Sequence, residues 1–357
     1  MVNACDLDDR GTWPAARAIG QRFLAATNGS AQHNVSAMGH AHIDTAWLWP
    51  LAESVRKCIR TFSTAVRCME EYPDYRFVCS QAQQYEWIKE RTPGLYEQIK
   101  AQVKAGRFVP VGGTWVEMDC NVLSGESLVR QFLVGQRFFR REFGITCREL
   151  WIPDVFGYSA QLPQIMLGAG VRYFLTQKMS WNQFNQLPSH TFVWEGLDGS
   201  RVLTHFPPAD TYNGMATVDQ ILKNVRNFKD LDRANESCYV FGYGDGGGGP
   251  TREMIERLRR MKDVEGLPRV AMRSSLDFFQ RAEADGKDLT TWAGELYFEL
   301  HRGTYTTQAA VKRNNRKSEL LLRDAEFLSA VAHAKGALDY PAQDHQPQAA
   351  PVAHKRT

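Results

Sequence analysis

Two residue types that bind metals well stand two positions apart in the run Gly39-His40-Ala41-His42-Ile43-Asp44-Thr45-Ala46-Trp47-Leu48-Trp49-Pro50. The run follows a short apolar stretch, Val35 to Met38. In extended chain, residues i and i+2 point to one face, so His42 and Asp44 can reach the same ion. Trp47 and Trp49 follow directly and offer flat apolar faces of the kind on which sugar rings stack. Asp154 sits in Leu150-Trp151-Ile152-Pro153-Asp154-Val155-Phe156-Gly157-Tyr158-Ser159, again just past an apolar strand-like run. His301 follows the largely apolar stretch Leu296 to Leu300. His42, Asp44, Asp154 and His301 together supply two imidazoles and two carboxylates, a donor set suited to a divalent ion such as zinc, cobalt or nickel. A carboxylate that both holds the ion and faces substrate, as Asp154 would, is placed for nucleophilic or electrostatic work.

Each residue also has an ordinary structural role open to it. A His-x-Asp pair at a strand end is commonly a satisfied hydrogen-bonding pair. His40 shares the parity of His42 and Asp44 and competes for the ligand position, or stands behind it. Asp154 beside Pro153 and Gly157 could cap a helix, and His301 could be a solvated loop residue. Only the combination favours chemistry. The segment Phe241-Gly242-Tyr243-Gly244-Asp245-Gly246-Gly247-Gly248-Gly249-Pro250-Thr251 lacks both the Gly-Lys-Ser/Thr ending and the Gly-x-Gly-x-x-Gly setting of phosphate loops. Its glycines instead let backbone approach a ligand closely. Asp245, the acid within it, is a candidate general acid/base, since a partly desolvated carboxyl can have its pKa raised. An Asp-Gly turn in a flexible loop is the bland alternative.

What must position these residues is an α/β framework. Strand-like runs at 35–38, 108–111, 149–152, 173–176, 202–205 and 237–241 alternate with helical stretches at 51–72, 94–105, 127–143 and 251–261. That alternation predicts parallel strands with chemistry at their carboxyl ends. It does not distinguish an open sheet from a barrel. After about Thr304 the pattern changes to one long helix, Asn315 to Leu338, striped by Leu321, Ala325, Leu328 and Val331. The last stretch, 341–357, is rich in Pro, Gln, Ala and His and reads as disordered.

Composition excludes several classes. Of 357 residues, 43% are hydrophobic and 23% charged, as in ordinary globular proteins. A formal net charge of +3 over this length argues against nucleic acid as a partner. No run of about 18 apolar residues predicts a membrane span. The N-terminus lacks the charged and apolar regions of a signal peptide, which predicts a cytoplasmic protein and leaves the triplets at Asn28, Asn34 and Asn235 with little weight as glycosylation sites. Seven cysteines with no Cys-x-x-Cys spacing argue against a disulfide framework and against a cysteine zinc site.

Several of these motifs, in this order, resemble the α-mannosidases of glycoside hydrolase family 38, and its cytosolic, neutral branch above all. The likeness lies in Gly39 to Pro50, in Trp151 to Ser159, in Glu295 to Gln308, in Val109 to Asp119, in Trp194 to Ser200 and in the Gly242 to Pro250 loop, and runs from about Cys5 to about Ala342. The resemblance implies a β/α barrel-like catalytic domain over 1–303 and the start of a central helical bundle over 304–340. It implies one Zn2+ or Co2+ held by His42, Asp44, Asp154 and His301, with Asp154 as nucleophile and an acid/base in the Asp245 loop. Trp47 would form part of the mannose wall, with Trp115, Phe156, Asp210 and Tyr212 lining the rest. The implied reaction is retaining hydrolysis of terminal α-mannose from free oligosaccharides, with two carboxyls roughly 5–5.5 Å apart. Family members are far longer, so the chain resembles a truncated form. A non-catalytic fragment and a metal-dependent deacetylase-like hydrolase are the rival readings.

Overall fold

The computed structural model of the protein describes residues 1–29 and 33–340; the tail expected to be disordered at 341–357 lies outside the described residues. Among the described residues ten strands occur: β1 (Asn34–His40), β2 (Phe77–Cys79), β3 (Phe108–Pro110), β4 (Glu149–Trp151), β5 (Tyr173–Leu175), β6 (Thr191–Glu195), β7 (Arg201–His205), β8 (Glu236–Phe241), β9 (Arg269–Met272) and β10 (Thr291–Ala293). The helices between and around them are α1 (Trp13–Leu24), α2 (Leu51–Glu71), α3 (Ala82–Arg91), α4 (Pro93–Lys104), α5 (Gly125–Phe143), α6 (Leu162–Gly168), α7 (Val218–Arg226), α8 (Arg252–Arg260), α9 (Ser275–Asp285) and α10 (Ala309–Ala334). Each strand run and helical stretch expected from the pattern is found within a few residues. The pattern does not announce β2, β6, β9 and β10 or the helices α1, α3, α6, α7 and α9.

The strands form two five-stranded sheets. One runs β3-β2-β1-β8 with β9 alongside β1, and the other runs β10-β6-β7-β5-β4. All pairs are parallel except β6 with β7. Two seams join the sheets. Beyond β3, the Gly112 N–H donates to the Glu149 carbonyl of β4 at 2.9 Å. At the other side, the Cys238 N–H of β8 donates to His205 Nε2 of β7 at 3.1 Å. The result is the barrel-like α/β arrangement. β1 is buried along nearly its whole length, as a strand covered on both faces must be.

Aromatic side chains fill the interior. Phe62, Phe77, Tyr85, Phe108, Phe138 and Phe139 pack edge-on between β2, β3 and the helices α2, α3 and α5. Trp194, Phe174 and Tyr158 fill the space beside the second sheet. α5 starts on Ser124, whose hydroxyl accepts from the Ser127 N–H, and stops at Gly144 in the left-handed region. α10 contributes nothing to this core. It is tied to α5 by Arg130 gripping Glu326 at 2.6 and 2.8 Å and by Glu319 accepting from Ser127 Oγ at 2.7 Å. Two residues of its expected stripe, Leu321 and Leu328, are 68% and 64% exposed. Among the described residues no helix is long and apolar enough to cross a membrane, and all seven cysteines are free thiols.

One seam makes stability depend on pH. His33, His190 and His205 surround Phe228 with ring centroids 5.2, 6.1 and 6.3 Å away. All three are held below the ordinary imidazole pKa, chiefly by burial, and His190 is pushed down to about 3. His190 Nδ1 accepts from the Lys229 N–H at 3.2 Å, a role that needs the neutral ring. The unfolded chain takes up protons near pH 6.5 and the native one does not. Stability from these rings is therefore complete above about pH 6.5 and is lost as pH falls below it. For His190 alone the loss between pH 6.5 and 5 is about 1.6 kcal/mol, since the unfolded ring is already half protonated at pH 6.5. Urea titrations at the two pH values should show that slope flattened in His190→Gln; an unchanged slope would refute the assignment.

Candidate active site

Strand register gathers the site. β1 lies parallel to β2 with His40 opposite Val78, and to β8 with Gly39 opposite Phe241. Past the Gly39–Phe241 pair the ends of β1 and β8 stay close, which brings the His42 carbonyl against Gly244 and the Asp245 N–H. β4 and β5 are parallel with Trp151 opposite Leu175. Three residues further on stand Asp154 and Lys178. Their side chains meet with Lys178 Nζ 2.6 Å from Asp154 Oδ1. The chemistry therefore collects at the carboxyl ends of neighbouring parallel strands, as this architecture dictates.

His42 stands at the centre. Its Nε2 lies 3.2 Å from Asp44 Oδ1 and 3.5 Å from Asp154 Oδ2, and its Nδ1 lies 2.9 Å from Glu117 Oε2. Glu117 is itself held by Ser80 Oγ, which donates to Oε1 at 2.6 Å. Burial acts to lower the His42 pKa, but Glu117 and Asp44 outweigh it and hold the ring well above its ordinary value. Tyr212 closes another side, its ring centroid 5.3 Å from that of His42 and its hydroxyl hydrogen-bonded to Asp154. Burial first, then the charges of Asp154, Asp245 and Asp44, raise the Tyr212 pKa, so the phenol stays protonated as a donor. Lys178 is 3% exposed and is caged by the faces of Trp181, Phe156 and Phe298, with Nζ 3.7, 4.9 and 5.7 Å from their centroids.

The donors suit a divalent ion. One ligand atom each from His42, Asp44 and Asp154 lies within 4.8 Å of the others, and all three residues are buried. Three carboxylates, Asp44, Glu117 and Asp154, stand around one imidazole and the Lys178 ammonium. Glu117 on Nδ1 leaves Nε2 aimed at the two aspartates, the usual way a second carboxylate orients a ligating histidine. His40 takes no part in that set. It is buried, held neutral with its pKa pushed down to about 3 by burial first and then by His42, and hydrogen-bonded to the Tyr212 backbone. Of the two histidines, it is His42 that faces the aspartates.

The other expected residues are placed as follows. His301 lies outside the three-residue set. The run before it forms no strand beyond the single Tyr158–Leu296 bridge. His301 adopts a left-handed φ of 59° at the start of a short 3-10 turn, and its ring packs on Phe156 and Phe298 at 4.7 and 5.4 Å. Asp245 is brought to the site: its N–H donates to the His42 carbonyl at 2.6 Å. Trp47 is 39% exposed and meets Trp49 edge-on, 5.5 Å between centroids. Trp115 is turned to the core, donating to Gln83 Oε1 at 3.1 Å and packing on Phe138. Asp210 accepts from Asn227 and Lys223 at 3.0 Å each and borders a cleft of about 260 Å³ with Met179, Ser180, His190 and Phe206. A groove of about 770 Å³ between α5 and α6 holds none of these residues. Sequence reasoning missed Glu117 and Lys178. Glu117 lies in a run already noted for its likeness, and Lys178 stands three residues past a recognised strand end, the one signal that could have found it.

Residues 32–295 match the glycosyl hydrolases family 38 N-terminal domain, and residues 299–353 match the alpha mannosidase middle domain. The chain belongs to glycosyl hydrolase family 38. It is 56% identical over 347 residues to human alpha-mannosidase 2C1, which covers 97% of this chain and 33% of that protein. To alpha-mannosidase G of Dictyostelium discoideum it is 51% identical over 331 residues, 92% of this chain and 30% of the relative. The chain thus spans about a third of the length of the curated relatives it matches. An alpha-mannosidase from Enterococcus faecalis V583 superimposes with a TM-score of 0.74 at 19% identity, over 88% of this chain and 37% of that one, a likeness of fold.

Proposed function

We propose that this chain carries the catalytic centre of a retaining α-mannosidase that removes terminal non-reducing α-mannose from free oligosaccharides in the cytoplasm. Residues 1–303 would form the catalytic domain and 304–340 the start of a helical bundle. The observation that carries the reading is the buried union of His42, Asp44 and Asp154 with Lys178 and Tyr212 at the strand ends of a family 38 domain.

In the first step an oxygen of Asp154 attacks the anomeric carbon, and the bond to the leaving oxygen breaks as that oxygen takes a proton from the Asp245 carboxyl. In the second, Asp245 takes a proton from water, the water oxygen bonds to carbon, and the electron pair returns to Asp154. Lys178 and Tyr212 donate to the Asp154 carboxylate and hold it in one orientation. His42, Asp44, Asp154 and His301 would hold Zn2+ or Co2+, which when bound supplies a Lewis acid for sugar hydroxyls and charge that supports Asp154. Trp47 gives the apolar wall, with Phe156 and Tyr212 lining the pocket beside Asp154; Trp115, turned to the core, and Asp210, on a separate cleft, would act from outside it.

The test is proton NMR of an aryl α-mannoside treated with the metal-loaded chain. α-Mannose should appear first and mutarotate later. β-Mannose appearing first would remove Asp154 from the nucleophile's role. No mannose from well-folded, metal-loaded protein would identify the chain as a non-catalytic piece of its longer relatives.

A further inference from the structure

Asp245 has a φ of 52°, in the left-handed region, where aspartate is found more readily than most residues but still less readily than glycine. The glycines beside it are required by close contacts. A Cβ on Gly244 would fall 2.5 Å from Asn213 Oδ1 and 2.9 Å from the His42 carbonyl. One on Gly246, where φ is +83°, would fall 2.3 Å from Lys57 Cγ. The loop is thus pressed between the end of β1 and one turn of α2.

The α2 side of that press is a chain of contacts that closes on itself. Lys57 Nζ donates to the Asp245 carbonyl at 2.6 Å, and one turn on, Arg60 donates to the Gly246 carbonyl. The Lys57 ammonium lies 4.0 Å from the centre of the Trp49 ring. Trp49 Nε1 donates to Ser54 Oγ at 2.9 Å, and Ser54 Oγ donates to the Asp44 carbonyl at 2.9 Å. From Asp44 the backbone leads two residues back to His42, whose carbonyl accepts from the Asp245 N–H. One circuit therefore ties the loop carrying Asp245 to the segment carrying His42 and Asp44. Lys57 and Arg60 both reach the loop from α2, and Lys57 is the one that binds Asp245 itself.

We infer that Lys57 is a positioning residue for the general acid/base. It fixes the backbone of Asp245, and with it the reach of the carboxyl to the leaving-group oxygen. This rests on the reading of Asp245 as that acid/base. A donor ammonium on a carbonyl, steadied by an indole face, sets where the loop stands without touching substrate.

General acid catalysis matters in proportion to how poor the leaving group is, since a strongly acidic phenol departs without a proton. Lys57→Met keeps the length and the contact with Trp49 but cannot donate. It should lose about 10²-fold more kcat/KM on phenyl α-mannoside than on 2,4-dinitrophenyl α-mannoside, and Lys57→Arg should recover most of that difference. Amide exchange over residues 243–249 should quicken at least tenfold in Lys57→Met while β1 stays protected, a readout independent of turnover. Equal losses on both substrates, or an unchanged loop exchange, would overturn the role of Lys57. Asp245→Asn separates the two ideas. If it too is indifferent to the leaving group, the acid/base reading of Asp245 fails, and loop exchange alone decides whether Lys57 holds the loop. If Asp245→Asn discriminates and Lys57→Met does not, the failure belongs to Lys57.

Discussion

Asp154→Asn should lower turnover of an aryl α-mannoside by about 10⁴-fold or more, the scale seen when a covalent nucleophile is removed. The substitution is nearly isosteric, so packing against Val155 and Phe156 survives. What changes is chemistry. A carboxamide oxygen is a poor nucleophile and carries no charge to offset an oxocarbenium-like transition state. It also leaves the Lys178 ammonium, 2.6 Å away, facing a neutral group in a site where Lys178 is buried. Asp154→Ala opens a second route to the same conclusion. With the nucleophile gone, azide can enter from the vacated face, and an activated α-mannoside should give the inverted β-mannosyl azide. Wild-type rates in Asp154→Asn, or no azide product from a folded Asp154→Ala, would assign the nucleophile elsewhere.

Why some of this site was legible in the sequence and some was not follows from where each contact comes from. His42 and Asp44 meet because they are neighbours two apart at a strand end, and the chain alone encodes that. The expectation that the extended strand carries them is only partly right. β1 ends at His40, and irregular backbone delivers the last four residues. Asp154 was legible because Pro153 and Gly157 frame it after an apolar run. Lys178 and Glu117 were not, because their partners lie 24 and 75 residues away, and only the β4–β5 pairing and the turn after β3 bring them in. The parallel alternation was right in kind, yet it hid the antiparallel β6–β7 pair, since strand direction leaves no mark on a five-residue run. At His301 only the strand expectation fails: Leu296 to Leu300 makes a single bridge, and the His301 ring packs on Phe156 and Phe298.

Lys178→Met should then produce the second large effect, a fall in kcat of about 10²–10³-fold, the range for deleting one preorganised donor at a centre of changing charge. The two steps feel the ammonium differently. In the first, Asp154 gives up negative charge as it bonds to carbon, so a cation on Oδ1 holds the nucleophile in place but draws on its electrons. In the second, the pair returns to Asp154, and the same cation stabilises the departing carboxylate. Without Lys178 the second step suffers more. The mannosyl-enzyme should accumulate, seen as a burst of phenol from a 2,4-dinitrophenyl substrate, and KM should fall together with kcat. Lys178→Arg keeps the charge, but a planar guanidinium is not a close fit to a cage built by Trp181, Phe156 and Phe298 around a compact ammonium, so it should restore only part of the rate. A loss confined to kcat/KM with no burst would mean that Lys178 serves the first step alone. A wild-type kcat in Lys178→Met would mean that this buried ion pair merely balances charge, and that Tyr212 suffices to hold Asp154 for attack.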